Sequence, residues 1–208
     1  AVITLLITSY LSFNYAEQIL IERANDLLLG ESTVRGNTIK LLFESRIGQN
    51  QILANDPMIK ILADELNQIP ENEFDKVNKS KRKDFLTQIQ AFQTLVGFSI
   101  GVEDVKIIGT NGKVFFSLGK LPDNNFLQDP LFQKGLKKSI VGFEPTDTGK
   151  KMIVVSPIFA PDSKKHDDAI GVVISKMRTE SLDNILDDRS GLGETGEVYI
   201  VNEEFLML

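Results

Sequence analysis

An α+β fold is predicted, in which a long helical lead precedes an antiparallel sheet of five strands. Three observations predict it. From Asn14 to Ala54 there is no proline, and apolar residues fall at helical spacing. Beyond Gly97 the period changes to that of strands, with Asn111-Gly112 set between two apolar runs. Three further apolar runs follow, separated by polar turns, so the strands come after the helices rather than alternating with them.

The first helix carries Ile39, Leu42, Phe43, Arg46, Ile47 and Asn50 on one stripe, which Leu53 continues. Asp56 suits the N-cap of the next helix, Met58 to Leu66, and Pro57 suits its first turn. Pro70 and the polar stretch Glu71 to Ser80 read as a turn. The following helix carries Phe85, Ile89, Phe92 and Val96, whose spacings of four, three and four put one apolar face on a core.

The first two strands are Val102 to Ile108 and Lys113 to Phe116, joined through Asn111-Gly112. Gly119 to Asp129 is loop-like, and Pro130 to Lys138 reads as a short helix capped by Asp129. The other strands are Ile140 to Pro145, Lys151 to Phe159 and Ala169 to Met177. Asp147-Thr148-Gly149 turns between the first two of these, and the charged loop Pro161 to Asp168 separates the last two. Thr179 to Leu186 is helical, with Thr179 as its cap. Asp187 to Gly193 is a linker, Glu197 to Val201 reads as a strand, and Phe205 to Leu208 begins another. That last pair repeats the pattern of Val105 to Phe116, as the start of a second module would.

Composition excludes several chemistries. The chain has 208 residues, a net charge of -6 and a pI near 4.9. It is long enough for one large domain or two small ones, with a core that needs no disulfide. There is no cysteine, so zinc ribbons, thiol catalysis and iron–sulfur ligation are excluded. The acidic balance argues against a nucleic-acid partner. The single histidine, His166, sits among Asp162, Asp167 and Asp168 beside Lys164 and Lys165, and reads as a solvated loop rather than a metal site. Gly191-Leu192-Gly193-Glu194-Thr195-Gly196 matches a dinucleotide motif in letters. A helix precedes it and a strand follows, the reverse of what that site needs, so it reads as a linker turn. No G-x-S-x-G elbow or P-loop occurs. No catalytic residue, metal or cofactor is assigned, and no enzyme is expected. Lys79, Lys81, Arg82 and Lys83 read as a solvated helix face, and Asn78-Lys79-Ser80 is a formal glycosylation sequon. Ala1 to Phe13 carry no charge but are too few to span a bilayer, which takes about 20 apolar residues. They read as the outer end of a transmembrane helix, and the chain reads as a segment of a longer protein.

These parts, in this order, resemble a double Cache sensor domain, a PAS-like module. The resemblance rests on the membrane end, the long helix with Arg35-Gly36-Asn37, and the hairpin at Asn111-Gly112-Lys113. Met152-Ile153-Val154-Val155-Ser156-Pro157-Ile158 leading to Ala169-Ile170-Gly171-Val172-Val173-Ile174 adds to it, as does the entry to a second module, Gly191 to Asn202. It implies residues 1–13 as a membrane end, 14–98 as stalk and lead helices, 99–178 as the membrane-distal Cache module, and 179–208 as a linker helix and the start of the proximal module. It implies extracytoplasmic small-molecule sensing for a histidine kinase or chemoreceptor in the cell membrane, and a homodimer through the long helix. The other reading is a stalk or scaffold that binds no ligand. In the amino-acid-sensing subgroup an Arg-x-Trp-Tyr element clamps the ligand. Asp129-Pro130-Leu131-Phe132 stands there instead, and an aspartate repels a carboxylate, so a cationic or apolar ligand suits the site better. The ligand-binding residues expected are Asp129, Phe132, Phe143 and Phe159.

Overall fold

The structure, a computed structural model, describes the backbone of residues 2–96, 101–119, 125–147, 149–161, 169–190, 192 and 197–201. Helix α1 runs from Val2 to Ala54. Pro57 ends it by biasing Asp56 to an extended conformation (φ -58°, ψ 127°). Asp56 then starts α2, Pro57–Asn67, by accepting hydrogen bonds from the amides of Met58 (2.9 Å) and Ile59 (3.0 Å). Ile59, Leu62, Ala63 and Leu66 form the buried face of α2.

Helix α3 spans Glu71–Val96, so the turn expected over Glu71 to Ser80 is helix instead. The cause is tertiary. Phe74 is buried against Phe115, with ring centroids 5.7 Å apart, and Asn78 is buried with its amide on the Val114 carbonyl (3.4 Å). Phe74, Asn78, Phe85 and Ile89 share the buried face, and these anchors override a polar composition. The side chains of Phe92 and Val96 lie outside the described residues. The basic cluster sits mid-helix, where Lys81 pairs with Glu65 of α2 at 2.7 Å. Burial of Asn78 removes the acceptor residue of the sequon from the surface of the folded chain, while Lys79 and Ser80 stay exposed.

The sheet holds β1 (Val102–Gly109), β2 (Val114–Ser117), β3 (Ile140–Thr146), β4 (Gly149–Phe159) and β5 (Ala169–Met177). All neighbours are antiparallel, in the order β2-β1-β5-β4-β3. The β1–β2 turn uses Gly112 at φ 74°, a conformation that favours glycine. β5 returns beside β1 so closely that a Cβ on Gly171 would lie 2.4 Å from the Ile108 carbonyl oxygen. Both faces of the sheet are covered. On one, Val105, Ile107, Phe116, Met152, Val154, Ile158 and Val173 meet Leu53 of α1 and the buried faces of α2 and α3. On the other, Ile108, Val114, Ile153, Val155, Val172 and Ile174 surround Phe132. Burial on both sides explains why β4 and β5 read as nearly continuous apolar runs.

The chain divides into two compact units. Leu42–Ser181 contains the sheet and both cores. Ala1–Leu41 and Leu182–Leu208 form the other. There Arg35 of α1, buried, donates to the carbonyls of Ile185 (2.9 Å) and Ser190 (2.8 Å). Ile185 belongs to α5, Glu180–Asp187, so Arg35 satisfies a carbonyl of its last turn. The strand expected at Glu197 to Val201 is corrected. Residues 197–200 form no ladder and Val201 makes a single bridge, because a strand exists only where a neighbour pairs with it. Phe205 to Leu208, His166 with Asp162, Asp167 and Asp168, and the glycines 191, 193 and 196 lie outside the described residues.

Candidate ligand site beside the short helix

Helix α4, Pro130–Gly135, is where the expected site residues begin. One oxygen of Asp129, Oδ1, accepts from the amides of Leu131 (2.8 Å) and Phe132 (3.0 Å). Asp129 is therefore the N-cap of α4, and Pro130 fills the first turn, where no amide is needed. Phe132 is fully buried in the core below. The helix lies close on the sheet: a Cβ on Gly135 would come within 2.2 Å of Val155, and one on Gly142 of β3 within 2.7 Å of Leu131.

Phe143 lies on the opposite face of the sheet, against Phe43 of α1, with ring centroids 6.1 Å apart. Phe159 ends β4 opposite Ala169 and is half-buried. The structure thus brings Asp129 and Phe132 together, and sets Phe143 across the sheet from them.

The face that carries α4 changes character along the strands. Apolar side chains at Ile108, Ile174 and Ile153 give way to Asp104 and Lys106 on β1, Lys176 on β5 and Glu144 on β3. Lys176 pairs with Glu144 at 2.8 Å, and Lys106 with Asp104 at 3.5 Å. Asp104 also accepts from the Ser117 hydroxyl (3.2 Å) and the Gly119 amide (2.9 Å). The Lys106 ammonium sits 5.8 Å from the ring centre of Phe126, in the short 3-10 turn Phe126–Gln128 that leads into α4. The register sets Asp104 opposite Lys176, and Lys106 between Ser117 and Ile174. The side chains of Asp104, Lys106 and Lys176 are 17%, 24% and 27% exposed, so solvent reaches them only in part, whereas that of Glu144 is 52% exposed.

Sequence reasoning missed this charged row. Its signal was present: Asp104, Lys106 and Lys176 stand in strands whose other residues are mostly apolar, and charge seldom enters such strands unpaired. Such an arrangement has donors and acceptors of both signs at a half-dry surface, and can hold a small charged or polar molecule by exchange of ion pairs. In the other unit an open trough of about 490 Å³ is lined by Leu28, Ser32, Arg35, Ile39, Leu192 and Tyr199, and is mostly apolar.

No protein-family model matches the chain, and no curated protein does. Solved structures do. The sensor domain of the V. cholerae histidine kinase DctB matches with a TM-score of 0.55 at 14% identity, over 77% of this chain and 58% of that one. The ligand-binding domain of the Pseudomonas aeruginosa PAO1 amino-acid chemoreceptor PctC, in complex with GABA, matches with a TM-score of 0.50 at 17% identity, over 76% of this chain and 64% of that one. The chain spans about three-fifths of the length of these two domains. Its fold, a long N-terminal helix with a five-stranded antiparallel sheet, is that of the Cache-like sensor domains.

Proposed function

We propose that the chain is the extracytoplasmic sensing part of a membrane receptor, and that its Leu42–Ser181 unit takes a small polar molecule over the charged row beside α4. The single observation that carries this is the row itself, Asp104–Lys106 and Lys176–Glu144, in which Asp104, Lys106 and Lys176 are partly shielded from solvent. Ion pairs in such a place gain little for the fold after desolvation, whereas a ligand with charged groups can take over their partners. Charge of both signs widens the ligand class beyond the cationic or apolar molecule suggested by Asp129. Asp129 and Phe132 serve the site by seating α4, and Phe143 and Phe159 by fixing β3 and the end of β4. DctB and PctC, which share the fold, are a histidine kinase and a chemoreceptor, and either kind of output suits this chain.

Residues 1–13 are proposed as the membrane end of α1. No described helix is long and apolar enough to cross a membrane. A homodimer through α1 is supported by Phe13, Leu20, Leu27, Val34 and Leu41, exposed apolar side chains at a seven-residue repeat.

The test is the melting of the full chain against amines, amino acids, carboxylates, purines and divalent metals. A compound at a hundred times its dissociation constant adds about 2.7 kcal/mol, roughly 5–10 °C for a chain of this size. A shift that disappears in Lys106→Met or Lys176→Met supports the site. A shift that both variants keep moves the ligand elsewhere, and no shift across the panel favours the stalk reading.

A further inference from the structure

Asn50 is fully buried near the end of α1, in a layer where helix meets sheet almost entirely through apolar side chains. Its Nδ2 donates to the carbonyls of Val173 on β5 (3.1 Å) and Val154 on β4 (3.3 Å). Its Oδ1 accepts from the hydroxyl of Ser175, which is also fully buried (2.6 Å). One side chain of α1 is thus bonded to two adjacent strands inside the sheet.

We propose that Asn50 and Ser175 are a register pin, which fixes the axial position of α1 on β4 and β5. The argument is one of partners. A slip of α1 by one turn brings Arg46 or Ala54 to the place of Asn50. Ala54 offers no donor, and Arg46 brings a charge and offers no acceptor to Ser175. Either slip leaves the Ser175 hydroxyl without its Asn50 acceptor in an apolar core, and the slip that brings in Arg46 carries the Asn50 amide to the buried place of Ala54. The surrounding contacts of Leu53 and Ile47 are apolar, and apolar contacts alone discriminate weakly between registers. A single buried polar group supplies the discrimination, as it does in helix pairs. The consequence is mechanical: the end of α1 turns and shifts with the centre of the sheet and does not slide over it. This goes beyond the sensing reading and stands whether or not a ligand binds above α4.

The chain has no cysteine, so spin labels can be placed at will. Ser45→Cys on α1 and Lys150→Cys on β4 are exposed sites, and dilution with unlabelled chain isolates the distance within one molecule. The native chain is expected to give one narrow distance. Asn50→Leu combined with Ser175→Ala replaces the pin by apolar groups and leaves neither partner stranded. In that chain a folded protein is expected whose distance distribution broadens, or gains a second maximum from a shift of about 5.4 Å along α1, one helical turn. A single maximum at the native distance overturns the proposal. So does a double variant that no longer folds, because the pair would then be needed for stability and not for register.

Discussion

Asp56 and Asp129 hold equivalent posts, each just before a proline and each accepting two amides of the first turn through one oxygen. At Asp129 the cap and the ligand contact expected from sequence make different demands. A cap needs an acceptor, which asparagine supplies as well; a contact that works by charge needs the carboxylate. Asp129→Ala is expected to cost about 1 kcal/mol in urea unfolding, and Asp129→Asn to recover most of it. A ligand shift kept in Asp129→Asn marks the residue as a cap alone, and one lost there marks the charge as a contact. Lys81 allows a second test at this scale. The hydrogen bond from its ammonium to Glu65, and then the Glu65 charge, raise it above the ordinary value of 10.5. The raised value of Lys81 therefore contributes stability that is present below pH 10.5 for as long as its partner is ionised, and is lost as pH rises through the higher value of the folded chain. NMR titration of the Lys81 side chain is expected to show the raised value, and Glu65→Gln to bring it back down.

The elements differ in how far the sequence discloses them, and α3 shows why. The strands are legible because apolar runs bounded by polar turns, and Asn111-Gly112, are local signals. The α1–α2 joint is legible because Asp-Pro is one. Glu71 to Ser80 is not, because what makes it helix is the seating of Phe74 on Phe115 and of Asn78 on β2, partners remote in the sequence. Phe74→Ala is accordingly expected to cost about 3–5 kcal/mol in chemical denaturation, against less than ~0.5 kcal/mol for the exposed neighbour Lys79→Ala. A solvated turn at Glu71 to Ser80 would show no such contrast. The site divides in the same way. Asp129 can be found from its place before Pro130. The pairing of Lys176 with Glu144 depends on β4 lying between their strands, and no spacing along the chain records that register.

At the scale of the molecule, Leu42–Ser181 holds both apolar clusters, every strand of the sheet and every charge of the row beside α4. It also retains the part of α1 that carries Phe43, Ile47, Asn50 and Leu53, so truncation at Leu42 leaves the helical cover of the sheet in place. A piece of about 140 residues with its own core is large enough to fold alone and, at that size, to do so in one step. The isolated piece is expected to melt in a single cooperative transition and to keep whatever ligand shift the full chain shows. Cooperative melting with the shift lost would put the ligand in the other unit, where the trough under Arg35 becomes the place to look. A piece without a cooperative transition would mean that α1 before Leu42, or the chain after Ser181, is part of what holds the sheet. The first outcome gives the sensing step to one unit and leaves transmission to the helix that runs on from it, which is the division of labour that a pinned α1 requires.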